Sequence, residues 1–477
     1  MLKPIEVKVL DINSDYLGVP VEDLMENAGD ELAEAVISEG GRGKNVLIFC
    51  GPGNNGGDGF TAAHHLQKKA NVRVVLMKPP SQINTALARR RYEVISDLAK
   101  TIGGADEIVV DIAWADIIVD AMLGVGVKGD LREPYETVVH LINSSEKKVI
   151  SADVPTGLGN SEAVKPNLTV TFHDVKEGMS KKNSGKIVVA DIGIPKEAVT
   201  GTGPGLFQYY PLNANTSHKG DNGHLLVIGG GPYTGAPALS ALAAYRAGVD
   251  LVTVASPKWA AGVIAGYSPS IIATGLDCET LGPSQIEELL NLAKRATTVL
   301  IGPGIGRDPE TGKLLAKLIP RLEVPVVLDA DALTLLEGKA RTLRKVQSII
   351  TPHNREFKTL FGDAVKRGKR ENMVIQGAKE TQGVVLLKGH TDIIGDADGR
   401  TLENKTGHGA MTVGGTGDVL AGLVAGLAAK GVDLFNAASL GAFVNGYAGQ
   451  LAFNGKSYGL MPMDVVEAIP QVLKKFL

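Results

Sequence analysis

VLIFCGPGNNGGDGFTAAHHL, residues 46–66, sets the fold class. Five apolar residues end at Cys50, a glycine-rich stretch spans Gly51–Gly59, and a segment of helical composition follows from about Phe60. A short apolar run bounded by glycine and proline reads as a buried strand. Strand, glycine turn and helix together open a parallel α/β unit. Glycine lets backbone approach a ligand closely, and a helix N-terminus favours anions, so the turn is a candidate phosphate cradle. It lacks the lysine of a P-loop. Asn54, Asn55 and Asp58 add side-chain donors and acceptors that a purely structural turn does not need.

The same grammar runs along the chain. Strands are predicted at 46–50, 72–77, 117–120, 148–152, 168–172 and 187–190, then at 225–228, 251–255, 299–301, 326–328, 348–350 and 384–387, with Ala/Leu-rich amphipathic stretches between them. Residues 200–223, rich in Gly, Asn, Pro and Thr and without apolar periodicity, read as a linker. A boundary near Pro211 gives two α/β domains, 1–210 and 211–477.

Composition narrows the function classes. The chain has 477 residues, 44% hydrophobic and 21% charged, enough apolar content for large cores and too much for a disordered chain. A formal net charge of −3 gives no broad footprint for nucleic acid or an anionic membrane, and the small basic clusters at 89–91 and 181–182 read as solvated surface. The longest apolar stretch, 419–429, is short of the ~20 residues a spanning helix needs. The N-terminus lacks a signal-peptide core, and Cys50 and Cys278 form no metal or disulfide pattern, so a cytoplasmic setting is expected. The sequence leaves a homo-oligomer open. His64 and His65 share a helix, with one expected to pack and one to be exposed.

Two further strands in the first domain end on chemistry. VDAMLGVGVKGD puts Asp120 at a strand end before a second glycine loop, and ADVPTG does the same for Asp153, with Thr156 following. Ligands of doubly wound sheets bind beyond the carboxyl ends of strands, so these loops are expected to converge. Asn55, Asp120 and Thr156 present hard oxygens suited to an alkali or alkaline-earth cation near a phosphate.

GPGNNGGDGF, VDAMLGVG and ADVPTG closely resemble NAD(P)H-hydrate epimerase over residues 1–210. The resemblance implies a Rossmann-like three-layer α/β sandwich that interconverts the R and S epimers of hydrated NAD(P)H. Carried over by position, Asn54, Asn55, Gly56, Gly57 and Asp58 would hold the nucleotide, together with Gly124, Val125, Gly126, Val127, Lys128, Gly129 and Asp130. Tyr135 and Asp153 would contact substrate, with Asp153 the acid/base candidate. Asn55, Asp120 and Thr156 would bind K⁺.

The second domain repeats the theme in HLLVIGGGPYTGAP, VLIGPGIG, VVLDADAL, IITPHNREF, VVLLKGHTD and AMTVGGTGDVLAG. Residues 414–417 precede a helix expected near Asp418, so backbone N–H groups and the helix dipole can form an anion hole. Asp418 beside that hole can accept a proton from a hydroxyl being phosphorylated. GGTGD is similar to the anion-hole signature of ribokinase-like kinases, and the full set resembles ADP-dependent NAD(P)H-hydrate dehydratase over about 215–477. The implied fold is a ribokinase-like α/β domain in which ADP phosphorylates the hydrate hydroxyl and phosphate elimination restores NAD(P)H.

By position, Ala236, Gly306 and His353 would contact the hydrate, with Asp418 the base. Lys388, Gly389, His390, Thr391, Asp392 and Gly417 would bind the adenine nucleotide. Mg²⁺ is implied on the phosphates, with Glu356 a candidate to position it, and Asp329 and Asp331 read equally as substrate contacts or structural acceptors. Arg355 stands where the family commonly has glycine, and TGHGAM replaces the common TGNPGM. The chain thus reads as an epimerase–dehydratase acting on NADHX and NADPHX. The alternatives are a ribokinase-type vitamin or sugar kinase using ATP, and a first domain that only binds or scaffolds.

Overall fold

The computed structural model describes residues 1–126, 129–362, 365 and 368–477. It separates into two compact units, Met1–Val199 and Thr200–Leu477. The expected boundary at 210/211 therefore falls inside the second unit. Residues 204–209 form a 3₁₀ helix rather than a free linker, because Leu206 and Phe207 bury themselves in the second unit's core, Phe207 against Phe443 and Phe476.

The first unit's strands are β1 (Asn45–Cys50), β2 (Asn71–Leu76), β3 (Ala99–Thr101), β4 (Ile117–Ala121), β5 (Lys148–Ala152), β6 (Leu168–Phe172) and β7 (Lys186–Ala190). They form one parallel sheet ordered β3-β2-β1-β4-β5-β6-β7. Side chains alternate across a strand, and in β1 that alternation feeds two cores. Val46, Ile48 and Cys50 pack with Phe60 and Leu66, while Leu47 and Phe49 pack with Ile108 and Val138. Helices therefore cover both faces, giving three layers. The order reverses between β1 and β4, a topological switch point.

The second unit contains β8 (His224–Ile228), β9 (Leu251–Pro257), β10 (Ile272–Leu276), β11 (Thr298–Ile301), β12 (Val326–Leu328), β13 (Ser348–Ile350), β14 (Val384–Leu387), β15 (Asp392–Gly395) and β16 (Thr401–Asn404). Their order is β10-β9-β8-β11-β12-β13-β14-β15-β16. The expectation of parallel strands holds up to β14, after which β15 and β16 turn back antiparallel. Again the sheet is two-sided: Leu225 and Val227 face the helices 416–429 and 434–456, and Leu226 and Ile228 face Leu314 and Leu315. The helix Thr416–Ala429 is buried from Val419 through Ala429, which accounts for its unbroken apolar run. Gly422 and Gly426 let it lie against the helix Gly235–Arg246, since a Cβ on Gly422 would meet Ser240 O at 2.1 Å. Among the described residues no helix is long and apolar enough to cross a membrane.

Candidate active sites of the two units

The first glycine turn differs from its expected form. Its helix runs Asn54–Leu66, starting six residues before Phe60. Most of the glycines therefore serve close packing rather than loop conformation. A Cβ on Gly51 would sit 1.7 Å from Met122 O, on Gly56 1.9 Å from Gly51 O, and on Gly59 2.7 Å from Ala121 Cβ. Gly57 abuts Met25. Gly51, Gly53 and Gly56 also keep the G-x-G-x-x-G spacing of dinucleotide turns, at the β1/β4 switch point. On the same helix His65 pairs with Glu26 at 2.9 Å and is half-buried, while His64 is exposed.

Asp120, at the end of β4, is fully buried and its carboxylate is saturated. Oδ1 accepts from Thr156 Oγ1 (2.6 Å) and Met122 N (3.3 Å), and Oδ2 from Ser151 Oγ (2.8 Å) and Thr156 N (2.9 Å). Burial raises its pKa, and these four hydrogen bonds oppose the rise. Thr156 Oγ1 in turn accepts from Leu123 N at 3.0 Å. Asn55 lies against the next residue, Gly124, where an added Cβ would stand 3.5 Å from Asn55 Cβ. Both amide atoms of Asn55 are buried without a hydrogen-bond partner. An orphaned amide costs on the order of 1–3 kcal/mol. The structure thus brings Asn55, Asp120 and Thr156 to one turn, 122–124, and leaves one of them unsatisfied.

Asp153 follows β5 with φ 60°, a strained conformation for a residue with a side chain. Its Oδ1 pairs with Lys176 Nζ at 2.5 Å and accepts from Phe172 N at 3.3 Å. Asp58 is buried and its pKa is pushed well up, first by burial and then by Asp153 and Asp11. Asp11, on the helix Pro4–Tyr16, is raised to about 6 by burial and by Asp153, with Lys176 opposing.

The remaining residues singled out in this unit are more dispersed. Asn54, Gly126, Gly129 and Asp130 are exposed, and Val125 is half-buried. Gly129 O accepts from Asn160 Nδ2. Val127 and Lys128 lie outside the described residues. Tyr135 starts the helix Tyr135–Ser144, and its ring packs beside the core of Leu131 and Val138, with burial raising its phenol pKa. Sequence reasoning missed Asp11 and Lys176, which no motif surrounds.

The second unit gathers its groups at the strand ends of β12–β14 and at one helix N-terminus. Lys388, just after β14, has its backbone N bonded to Pro352 O at 2.8 Å. Its Nζ reaches Asp329 Oδ1 at 2.7 Å and stands 3.8 Å from Glu356 Oε2. Thr351 Oγ1 also donates to Asp329 Oδ1, at 2.8 Å. Burial pulls the Lys388 pKa down, but Asp329, Glu356 and Asp418 outweigh it, so it is raised. Asp329 is held close to the glycine turn after β11, where a Cβ on Gly302 would lie 2.0 Å from Asp329 O. Asp331 is engaged by Arg307 Nε at 2.7 Å.

The anion-hole helix begins at Thr416, with Gly415 as its cap at φ 105°, two residues before the expected start. The N–H groups of such a first turn have no intrahelical acceptor. A Cβ on Gly417 would stand 3.6 Å from Lys388 Nζ, so ammonium and helix start face one space. The Asp418 carboxyl there is raised to about 7 by burial and by Asp329, with Lys388 opposing. Its carbonyl accepts from Ser240 Oγ at 2.8 Å, tying it to the helix whose first turn holds Ala236. Gly306, at φ 79°, has no room for a Cβ beside Pro232.

His353 acts as a helix cap. Its Nδ1 accepts from Arg355 N and Glu356 N, and Glu356 Oε2 accepts from His353 N at 2.8 Å. Arg355 thus occupies a regular first-turn position of Asn354–Phe361. Burial raises Glu356, with Lys388 opposing and Asp329 adding to the rise. Asp392 Oδ1 accepts from Gly389 N at 2.9 Å, His390 is exposed, and Thr391 O accepts from Arg370. Among the described residues, no hydrogen bond or ion pair ties His390 or Thr391 to Asp418.

A family model described as NAD(P)H-hydrate dehydratase matches residues 225–471, and one described as YjeF-related protein N-terminus matches residues 21–178. The chain is similar to a bifunctional NAD(P)H-hydrate repair enzyme of Methanothermobacter thermautotrophicus, 41% identical over 505 residues and covering 99% of this chain and 95% of that protein. A Pyrobaculum aerophilum protein of the same description is 40% identical over 497 residues, covering 99% and 98%. Among solved structures, the ADP/ATP-dependent NAD(P)H-hydrate dehydratase from Bacillus subtilis, co-crystallised with ATP and Mg²⁺, is 26% identical with a TM-score of 0.50, covering 57% of this chain and 96% of that one. The chain belongs to the bifunctional NAD(P)H-hydrate repair enzymes, with the epimerase on its first unit and the dehydratase on its second.

Proposed function

We propose that the second unit dehydrates one epimer of NAD(P)HX with ADP as phosphoryl donor, releasing AMP and phosphate, while the first unit supplies that epimer from the other. The observation that carries the reading is the Asp418 carboxyl, held at about 7 where Lys388 and a glycine-capped helix start meet. Asp418 takes the hydroxyl proton as the hydrate oxygen bonds to the β-phosphorus of ADP and the bond to AMP breaks. Lys388 and the N–H groups of the first helical turn stabilise the charge on the transferring group. The ester oxygen then departs with its carbon–oxygen electron pair as phosphate. A proton leaves the neighbouring ring carbon, and the double bond of NAD(P)H is restored.

Mg²⁺ fits the second site as an ion held mainly by phosphates and water, with Glu356 a candidate to position it, since Asp329 and Asp331 are engaged by Lys388, Thr351 and Arg307. When bound it would neutralise phosphate charge. K⁺ fits the first site because Asn55 has a buried, unpartnered amide oxygen beside the Asp120–Thr156 pair. Those three residues would hold it, Asp120 in place of one of the four hydrogen bonds its carboxylate accepts here, and it would supply positive charge near the nucleotide phosphates. The nucleotide itself is assigned to Asn54–Asp58 and 124–130 in the first unit. In the second, the hydrate is assigned to Ala236, Gly306 and His353, and ADP to 388–392 and Gly417.

The discriminating experiment is a product balance with purified protein, NADHX, ADP and Mg²⁺. One AMP, one phosphate and one NADH per hydrate consumed supports the reading. A stable phosphorylated product without NADH favours the kinase alternative.

A further inference from the structure

Lys176 is the most unusual residue of the first unit. Its side chain is 2% exposed, and lysine is almost never buried to that degree without a partner. Burying an ammonium forfeits its hydration, so an apolar residue would serve packing better. Its three donors find three acceptors: Asp153 Oδ1 at 2.5 Å, Phe172 O at 2.6 Å and Thr171 Oγ1 at 3.1 Å. The nitrogen is thereby fixed. Asp153 Oδ1 also accepts from Phe172 N, and Thr171 Oγ1 lies 3.4 Å from it, so every contact on this carboxylate falls on one oxygen. Oδ2 receives no hydrogen bond among the described residues, and the side chain keeps 13% exposure. Asp58 and Asp11, on two other helices, face the same pair electrostatically. Backbone bonds between Leu2 and the 175–177 segment hold the loop that carries Lys176.

We infer that Lys176 is a positioning residue of the first unit's reaction, clamping one oxygen of Asp153 so that the other is presented to the hydrated nicotinamide ring. The inference rests on the epimerase reading above. Asp153 would be the group that touches substrate, and Lys176 would act only through it. Asp153 has a positive φ, and its Oδ1 accepts from Phe172 N at the end of β6.

The test uses the full chain, following interconversion of one purified epimer without ADP. Lys176→Met, Asp153→Asn and the double variant are compared, with ADP-dependent dehydration as an internal control for the intact chain. Lys176→Met is expected to lower kcat for interconversion by about 100-fold, the scale of positioned proton transfer, with KM changed less than about threefold. The double variant is expected to be no slower than the slower single variant. Lys176→Arg, which keeps a positive charge beside Asp153, is expected to recover at least about tenfold of the lost rate. Interconversion by Lys176→Met within about threefold of wild type, a loss carried by KM, no recovery by Lys176→Arg, or losses that multiply in the double variant would each overturn the inference. Wild-type protein that fails to interconvert the epimers would instead overturn the epimerase reading itself.

Discussion

Each unit sets a lysine among three carboxyl groups, buried in the first and partly exposed in the second, and the two clusters are built differently. In the first, Lys176 meets Asp153, with Asp11 and Asp58 nearby. In the second, Lys388 meets Asp329, with Glu356 and Asp418 nearby. The first cluster is closed around its ion pair: Lys176 spends all its donors on protein oxygens, so its charge serves a neighbour. The second is open toward a ligand. Lys388 contacts Asp329 and faces the start of a helix whose first N–H groups await an anion. The same charge inventory therefore suits proton handling on one side and phosphoryl transfer on the other. What separates them is the glycine-capped helix at Thr416–Ala429.

Removing the carboxylate proposed to handle the proton in each unit has the largest expected effect. Asp418→Asn is expected to lower ADP-dependent dehydration by about 1,000-fold, about 4 kcal/mol of barrier, while epimer interconversion continues unchanged. Following NADH absorbance and epimer ratio in one sample checks both halves. Asp153→Asn should do the reverse, slowing interconversion about 100-fold while leaving the first turnover of dehydration intact. A single substitution that slowed both reactions equally would erase the distinction between the sites.

The pH dependence sharpens the contrast further. Asp418 accepts a proton only when ionised, and its carboxyl is held at about 7 by burial and by Asp329, Asp331 and Glu356 against Lys388. Dehydration kcat/KM should therefore rise with pH up to about 7 and fall about tenfold per unit below it. A profile flat down to about pH 5 would contradict the assignment. The smallest expected effect is on the cap: Gly415→Ala forces a side chain to φ 105° and against Pro462 Cγ at 2.8 Å. It should lower second-unit stability by roughly 1–2 kcal/mol in urea unfolding.

Much of this architecture was legible because the information is local. Short apolar, β-branched runs of three to six residues specified twelve strands, and GGTGD signalled Asp418 through a spacing of only a few residues. The strands that escaped notice are short or polar, such as AKT in β3 and TLEN in β16, where pairing rather than hydrophobicity decides. The early start of the Asn54 helix was hidden because glycine disfavours helices intrinsically, while here close contacts with Met122 O, Met25 and Ala121 require it. The 3₁₀ turn at 204–209 was hidden by its linker-like flanks, although Phe207 is a core residue. Lys176 and Asp11 were illegible for a different reason. A charged residue outside a motif is solvated by default, and only the tertiary fold brings the N-terminal helix to the loop after β6.

If two independent chemistries reside in two separate clusters, two differently disabled chains complement each other when mixed. Asp418→Asn protein and Asp153→Asn protein are combined with both NADHX epimers, ADP, Mg²⁺ and K⁺, and NADH recovery is followed to its end. Asp418→Asn alone is expected to give no rapid NADH, Asp153→Asn alone a fast phase that ends when one epimer is spent and a remainder about 100-fold slower, and the mixture full recovery in the fast phase. A mixture whose fast phase ends where that of Asp153→Asn alone ends would contradict two independent sites.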